Sequence, residues 1–106
     1  MNNDRWSEVD ALLATALLRP EPALADALAA SAAAGLPAMH VSPLQGALLR
    51  MLVAQTGGRR VLEVGTLAGY STLWLAGGLA PDGALITLEI DPAHAAVARE
   101  TIARAG

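Results

Sequence analysis

The feature that most constrains the fold is a change of pattern at residue 60, where helical periodicity gives way to a short apolar run. Residues 60–64 (RVLEV) lead directly into Gly65, and a second run of the same kind occupies residues 84–90 (ALITLEI). Helices are predicted between these runs, over about 70–80, and after them, over 92–105. Strand, helix, strand and helix in succession form a βαβα unit. Because both runs are apolar on both faces, the sequence predicts an α/β fold whose parallel sheet is covered by helices on each side.

Three further helices are predicted ahead of the first strand. Apolar residues recur at helical spacing over residues 6–17, and an alanine-rich segment follows over about 22–34. The third helix begins after Ser42, an N-cap residue whose capping-box partner is Gln45. Its predicted apolar side consists of Leu44, Leu48, Met51, Leu52 and Gln55.

Composition excludes several classes of protein. The chain has 106 residues, enough for one small domain, and no cysteine, so disulfides, thiolate metal sites and cysteine nucleophiles are excluded. Its net charge is −3 and its seven basic residues are scattered arginines, which disfavours nucleic acid as a partner. The uncharged stretches 27–49 and 64–81 are interrupted by Pro or Gly and rich in small residues, so we expect a cytoplasmic protein without a membrane span.

The loop over residues 63–72 carries the most information about function. In a doubly wound sheet, a nucleotide-like ligand binds at the loop between a strand and the helix that follows it. Gly65 permits a tight turn and a close ligand, and Gly69 lets the helix begin near the strand. A dinucleotide fingerprint requires glycine where this chain has Leu67, and Glu63 would repel a pyrophosphate. The carboxylate suits a ligand with positive charge, such as the ammonium and sulfonium groups of S-adenosylmethionine.

A second carboxylate, Glu89, lies at the end of the second predicted strand. It can accept hydrogen bonds from both hydroxyls of a ribose. A single glutamate at a strand end is more commonly only solvated. The combination with the glycine loop is what favours a binding role.

Together these motifs resemble the caffeoyl-CoA and catechol O-methyltransferase family of class I S-adenosylmethionine-dependent methyltransferases. The resemblance is carried by LEVGT and GYST within residues 62–72, by DG and TLEID within 82–91, and by MHVSP within 39–43. It implies a Rossmann-like methyltransferase sheet of which this chain holds an incomplete part. The implied divisions are an N-terminal helical segment, 1–41, and the front half of the S-adenosylmethionine-binding domain, 42–106.

The resemblance also implies ten cofactor-binding residues: Met39, Val41, Glu63, Gly65, Thr66, Gly69, Tyr70, Ser71, Glu89 and Ile90. Glu63 would lie near the methionine amino group, and Ser71 would bond the methionine carboxylate with Tyr70 beside it. Glu89 would take the ribose hydroxyls, and Ile90 would lie against the adenine. The loop glycines would pass under the cofactor, and the segment ahead of the third helix would line its methionine end.

Plainer interpretations of these residues stay open at this point. Met39 and Val41 suit ordinary packing of a loop on the core, and Ser71 suits a helix cap. The two histidines are interpreted as surface residues, and Asp91 as the cap of the last helix.

Relatives of this kind hold a divalent metal, Mg²⁺, through acidic and amide side chains, and the metal binds a diol acceptor. The sequence shows no carboxylate cluster suited to Mg²⁺, so we assign no metal ligand and no catalytic residue. The resemblance implies methyl transfer to a hydroxyl of a small phenol- or catechol-like acceptor by a homodimer that associates through N-terminal helices. The alternatives are a non-catalytic cofactor-binding or assembly fragment, an enzyme for modified nucleosides in RNA, and half of an NAD-type dehydrogenase.

Two strands are few for a doubly wound domain. In the methyltransferase order the first strand is central, so its second edge would be bare in this chain. Because a bare apolar edge pairs with other chains, we expect the isolated chain to be poorly folded or to associate through residues 60–64.

Overall fold

The computed structural model describes residues 3–106 and confirms the predicted order of elements. Its helices are α1 (Asn3–Leu17), α2 (Pro22–Ala33), α3 (Pro43–Gln55), α4 (Tyr70–Ala76) and α5 (Pro92–Ala105), and its strands are β1 (Arg60–Val64) and β2 (Ala84–Leu88). The α/β class, with helices followed by a βαβα unit, is therefore confirmed. Within residues 3–106, none of the helices has the length and apolarity that crossing a bilayer requires.

The two strands pair in parallel, with Glu63 beside Thr87 and Val64 beside Leu88. Because side chains alternate between the faces of a strand, Glu63 and Thr87 point to the same side of the sheet. That side lies against α4, whose Thr72 hydroxyl donates to the Glu63 carboxylate.

The opposite side of the sheet is bare. Its apolar side chains, Leu62, Val64, Ile86 and Leu88, are all exposed, Val64 at 79%. The prediction that helices cover both sides is therefore wrong for the part of the chain that the structure describes. The physical reason is that its helices pack together on the Glu63 side, so the apolar pattern of the other side has nothing to cover it.

The core lies where α2, α3 and α4 meet. Its buried members are Leu24, Ala27, Tyr70 and Trp74. Gly46 on α3 permits the close approach of α4, because a Cβ at this position would overlap the Trp74 ring. Residues on both sides of the predicted division at residue 41 thus share one core, and the division itself stays a prediction.

An ion pair that the sequence analysis did not identify closes one end of this core. The two terminal nitrogens of Arg50 on α3 donate to the Glu21 carboxylate at 2.7 and 2.9 Å. The guanidinium also lies 4.4 Å from the centre of the Trp74 ring. The hydrogen bond from Arg50 holds the pKa of Glu21 below its usual value. A bidentate contact of this kind pairs the two charges and also fixes the orientation of the guanidinium relative to the carboxylate.

Three local predictions differ from the structure. The capping box at Ser42 is present, but the apolar side predicted for α3 is wrong because Leu48, Met51 and Leu52 are exposed. The buried side of α3 instead carries the small Gly46 and Val53, which let α4 come close.

Two elements end earlier than predicted. Helix α4 ends at Ala76, ahead of the close-packed glycines 77 and 78. Strand β2 ends at Leu88 because the next residue turns toward the glycine loop.

The bare side of the sheet predicts that the isolated chain associates. Burial of apolar surface stabilises by roughly 25 cal/mol per Å², so uncovered Leu62 and Ile86 favour contact between copies. We expect the chain to scatter light as a dimer or larger species, and the double variant Leu62→Lys/Ile86→Lys to shift it toward the monomer. Ala96→Lys, an exposed position on α5, is the matched charge control. A monomeric unsubstituted chain that melts cooperatively contradicts this expectation.

Candidate functional site

The loop that leaves β1 has a backbone conformation that favours glycine at three positions. Gly65 and Gly69 have φ values of +92° and +91°, and Leu67 has φ of +52°. A left-handed conformation costs a non-glycine residue about 1–2 kcal/mol. Leu67 occupies the position where a dinucleotide fingerprint requires glycine. At this position a residue with a side chain therefore adopts the left-handed conformation that glycine adopts more easily. Contacts elsewhere must offset this strain.

The Glu89 carboxylate supplies those contacts. Its Oε1 accepts the backbone N–H groups of Thr66 at 3.2 Å and Leu67 at 2.7 Å, and its Oε2 accepts that of Asp91 at 3.1 Å. These bonds, the one from Asp91 foremost, hold the pKa of Glu89 below its usual value. A carboxylate has about four acceptor positions, so three donors leave room for a ligand hydroxyl. Glu89 is therefore more than a solvated strand end, since it fixes the loop.

The two histidines differ in environment. His40 is exposed, as predicted, and its ring lies edge-on to Tyr70. His94 is not a free surface residue, because its side chain is only 23% exposed and its Nδ1 lies 3.9 Å from Glu89 Oε2. Asp91 caps α5 as predicted, accepting the backbone N–H groups of Ala93 and His94.

Glu63 is surrounded by hydroxyl groups from two other elements. Its Oε2 accepts the hydroxyl of Ser71 at 2.6 Å, and its Oε1 accepts those of Thr72 at 2.5 Å and Thr87 at 2.7 Å. The hydroxyl of Thr66 contacts that of Thr87 in turn. The interpretation of Ser71 as a helix cap is wrong, because Gly69 is the N-cap of α4 and the Ser71 hydroxyl is directed to Glu63.

A cavity of about 140 Å³ lies beside the loop. Six of the ten predicted residues line it: Met39, Val41, Gly65, Thr66, Tyr70 and Ser71. Val41 also packs on the core, whereas Met39 is 73% exposed. The described residues that line this cavity include no arginine, and the Glu63 carboxylate accepts the hydroxyl of Ser71, which is one of them. The local charge therefore disfavours a pyrophosphate and suits a group with positive charge.

Two other predicted residues, Glu89 and Ile90, line a separate groove that meets the cavity at Gly65. Apart from Gly65 and its two chain neighbours, no described residue has an atom within 4 Å of where a Cβ of Gly65 would stand, so a ligand can lie against this backbone. Ile90 is 98% exposed at the edge of the groove. An elongated ligand that crosses Gly65 would reach both the cavity and the groove. Gly69 and Glu63 line neither space: Gly69 is the N-cap of α4, and Glu63 accepts the hydroxyl of Ser71.

The same part of the chain also shows whether side chains are arranged to bind a metal ion. In the described part of the chain, no three side chains of His, Asp, Glu or Cys converge as metal ligands do. These residues therefore do not fit the Mg²⁺ that the family resemblance implies.

A parallel βα unit, with an open glycine loop between two carboxylates, is typical of part of a Rossmann-like domain. The chain belongs to the O-methyltransferase family, which it matches over residues 17–106. It is 54% identical over 99 residues to a catechol O-methyltransferase of Mycobacterium tuberculosis, covering 93% of this chain and 45% of that protein. It is 48% identical over 106 residues to one of Niastella koreensis, covering 100% and 48%.

Solved structures agree with this membership. The O-methyltransferase of Bacillus cereus, solved in complex with SAH, superimposes with a TM-score of 0.94 at 46% identity, covering 96% of this chain and 46% of that one. That of Streptomyces achromogenes, solved with SAM, gives 0.91 at 40% identity, covering 100% and 48%. The chain thus spans about half the length of the curated relatives and solved structures that it matches.

The lowered pKa of Glu89 predicts an acid-dependent loss of stability. Since the folded-state pKa lies below the ordinary value of about 4.3, the stabilisation is complete above that value and is lost as pH falls through the folded pKa. In urea unfolding, the midpoint should fall more steeply below about pH 4 for the unsubstituted chain than for Glu89→Gln, which cannot ionise. Parallel pH dependences would show that Glu89 does not hold the loop.

Proposed function

We propose that this chain binds S-adenosylmethionine along the cavity and the groove that meet at Gly65, as the cofactor half of an O-methyltransferase. The acceptor class that we propose is a hydroxyl of a small phenol- or catechol-like molecule. The observation that carries the proposal is the negative charge around the open loop. One carboxylate lies at each end of the loop, Glu63 and Glu89, and the described residues that line its cavity include no arginine. The SAH and SAM in the structures of relatives, and the catechol O-methyltransferase names of others, support it.

In this proposal each carboxylate meets one end of the cofactor. The methionine end lies in the cavity, with its ammonium near Glu63 Oε2 and its carboxylate near Ser71. The ribose lies in the groove, where Glu89 has an acceptor position left for a hydroxyl. Ile90, fully exposed at the groove edge, is available to cover the adenine.

When bound, S-adenosylmethionine would supply a methyl group whose carbon an acceptor oxygen attacks in line, so that the C–S bond breaks and S-adenosylhomocysteine is the leaving group. The contribution of this chain is orientation. Ser71 and Glu63 hold one end of the cofactor and Glu89 the other, so that the bond to be broken has a fixed direction. Correct orientation can account for a large part of an enzymatic rate enhancement.

We propose that the acceptor site, with its general base and its Mg²⁺, is formed by sequence that corresponds to the other half of the relatives. The described residues hold no metal cluster, and the one basic side chain among those that line the loop cavity, His40, has its Nδ1 3.1 Å from the Val41 carbonyl oxygen. A cytoplasmic location is part of the same proposal. The rival interpretation, a cofactor-binding or assembly fragment without chemistry, is favoured by the bare side of the sheet.

A homodimer is also proposed. Helix α1 presents large exposed apolar side chains, and those of α3 continue this surface because the two helices are in contact. The residues are Trp6, Val9, Leu12, Leu13, Leu17, Leu48, Met51 and Leu52. Exposed apolar surfaces of this kind mark sites of association. Acceptors in RNA are not favoured, because the chain has a net charge of −3.

Titration calorimetry with S-adenosylhomocysteine tests cofactor binding directly. We expect the unsubstituted chain to bind and Glu89→Ala to bind at least about tenfold more weakly, because both the ribose acceptor and the loop contacts are lost. Glu100→Ala, an exposed glutamate on α5, is the matched control and should bind normally. Equal affinity of the Glu89 and Glu100 variants would contradict the proposed site.

A further inference from the structure

The hydroxyl cluster, which consists of Glu63, Ser71, Thr72 and Thr87, has a fixed direction of hydrogen bonding. A carboxylate only accepts, and each of the three hydroxyls donates its single hydrogen to Glu63. Thr87 then has no hydrogen left for Thr66. The contact between these two threonines must therefore be donated by Thr66.

Because the Ser71 hydroxyl has a single hydrogen, this arrangement restricts the hydrogen bonds that Ser71 can donate to a ligand. While its hydrogen is given to Glu63, Ser71 cannot donate to the carboxylate of an amino acid. It becomes free to do so when another donor takes its place on Glu63 Oε2, and the ammonium of the same amino acid is such a donor. No covalent bond changes in this exchange, because the hydroxyl only rotates. Glu63 accepts three hydrogen bonds both before and after it.

We propose that Thr72 and Thr87 are positioning residues that hold Glu63 by Oε1 while Oε2 exchanges Ser71 for the ammonium of the ligand. The inference rests on the proposed function and adds a rule of ligand recognition to it. Both threonines donate to Oε1, and Ser71 alone donates to Oε2. The two oxygens of one carboxylate thus have separate roles.

The placement of the threonines supports this separation. Thr72 is buried on α4 and Thr87 is half-buried on β2, whereas Glu63 belongs to β1, so three elements fix one carboxylate. A glutamate side chain has several rotatable bonds and would otherwise be free to turn away from the cavity. The ligand class selected in this way has a free α-amino acid end, with ammonium and carboxylate on one carbon.

The test compares two ligands that differ in that end. S-Adenosylhomocysteine has the amino acid group, and 5′-methylthioadenosine has the nucleoside and sulfur without it. We expect Thr72→Val and Thr87→Val, which remove a hydroxyl at constant volume, to weaken binding of the first ligand roughly tenfold and to leave the second within about twofold. Thr87→Ser, which keeps the hydroxyl, should restore affinity for the first ligand.

Thr101→Val is the matched control, because Thr101 is buried on α5 and its Oγ1 has no hydrogen-bond partner among the described residues. It should leave the affinity for both ligands unchanged, and circular dichroism checks that every variant is folded. Equal losses for the two ligands, or a Thr87→Ser variant no better than Thr87→Val, overturn the positioning role alone. Failure of the unsubstituted chain to bind either ligand contradicts the proposed function, and the positioning role falls with it.

Discussion

The hydrogen bonds from the loop backbone to Glu89 are the interaction on which the site depends. They hold Leu67 in a conformation that its side chain disfavours, and they join the end of β2 to the turn that follows β1. Because the same carboxylate keeps an acceptor position, one group both shapes the loop and remains available to a ligand. Binding would then occur on a loop that is already ordered, which lowers the entropic cost of association.

Glu63 has the corresponding role on the other side of the loop. Its partners are side-chain hydroxyls, which can rotate and change partner, whereas those of Glu89 are backbone groups in fixed positions. The site therefore combines a carboxylate with fixed backbone donors near the groove and one whose hydroxyl donor on Oε2 can be exchanged near the cavity. That difference suits a ligand whose two ends are a ribose and a zwitterion.

The sequence was sufficient for the order of elements, because helix caps, turns and apolar runs are local patterns, and the βαβα order in turn indicated parallel strands. The Ser42 capping box and the glycines at 65 and 69 each indicate one backbone conformation. The threonine contacts of Glu63 depend on the register of β1 and β2, and only the pairing of Glu63 with Thr87 brings those two together. A comparison of polar positions between the two predicted strands could have indicated this contact.

Other features could not be predicted because periodicity does not show which partner a helix meets. The side of α3 with the larger apolar residues is exposed, since α4 packs closest where Gly46 leaves room for Trp74. The bare side of the sheet has a related cause. Its alternating apolar residues are typical of a covered sheet, and about half the length of the relatives provides helices for one side only.

We propose that the loop between β1 and α4, together with Glu89, forms a cofactor site in this chain. The most direct measurement is amide chemical-shift mapping by ¹H–¹⁵N NMR during titration with S-adenosylhomocysteine. We expect the largest shifts on Gly65, Thr66, Leu67 and Ser71, with residues of α1 unaffected. Shifts centred outside the loop, or none at saturating ligand, would contradict it.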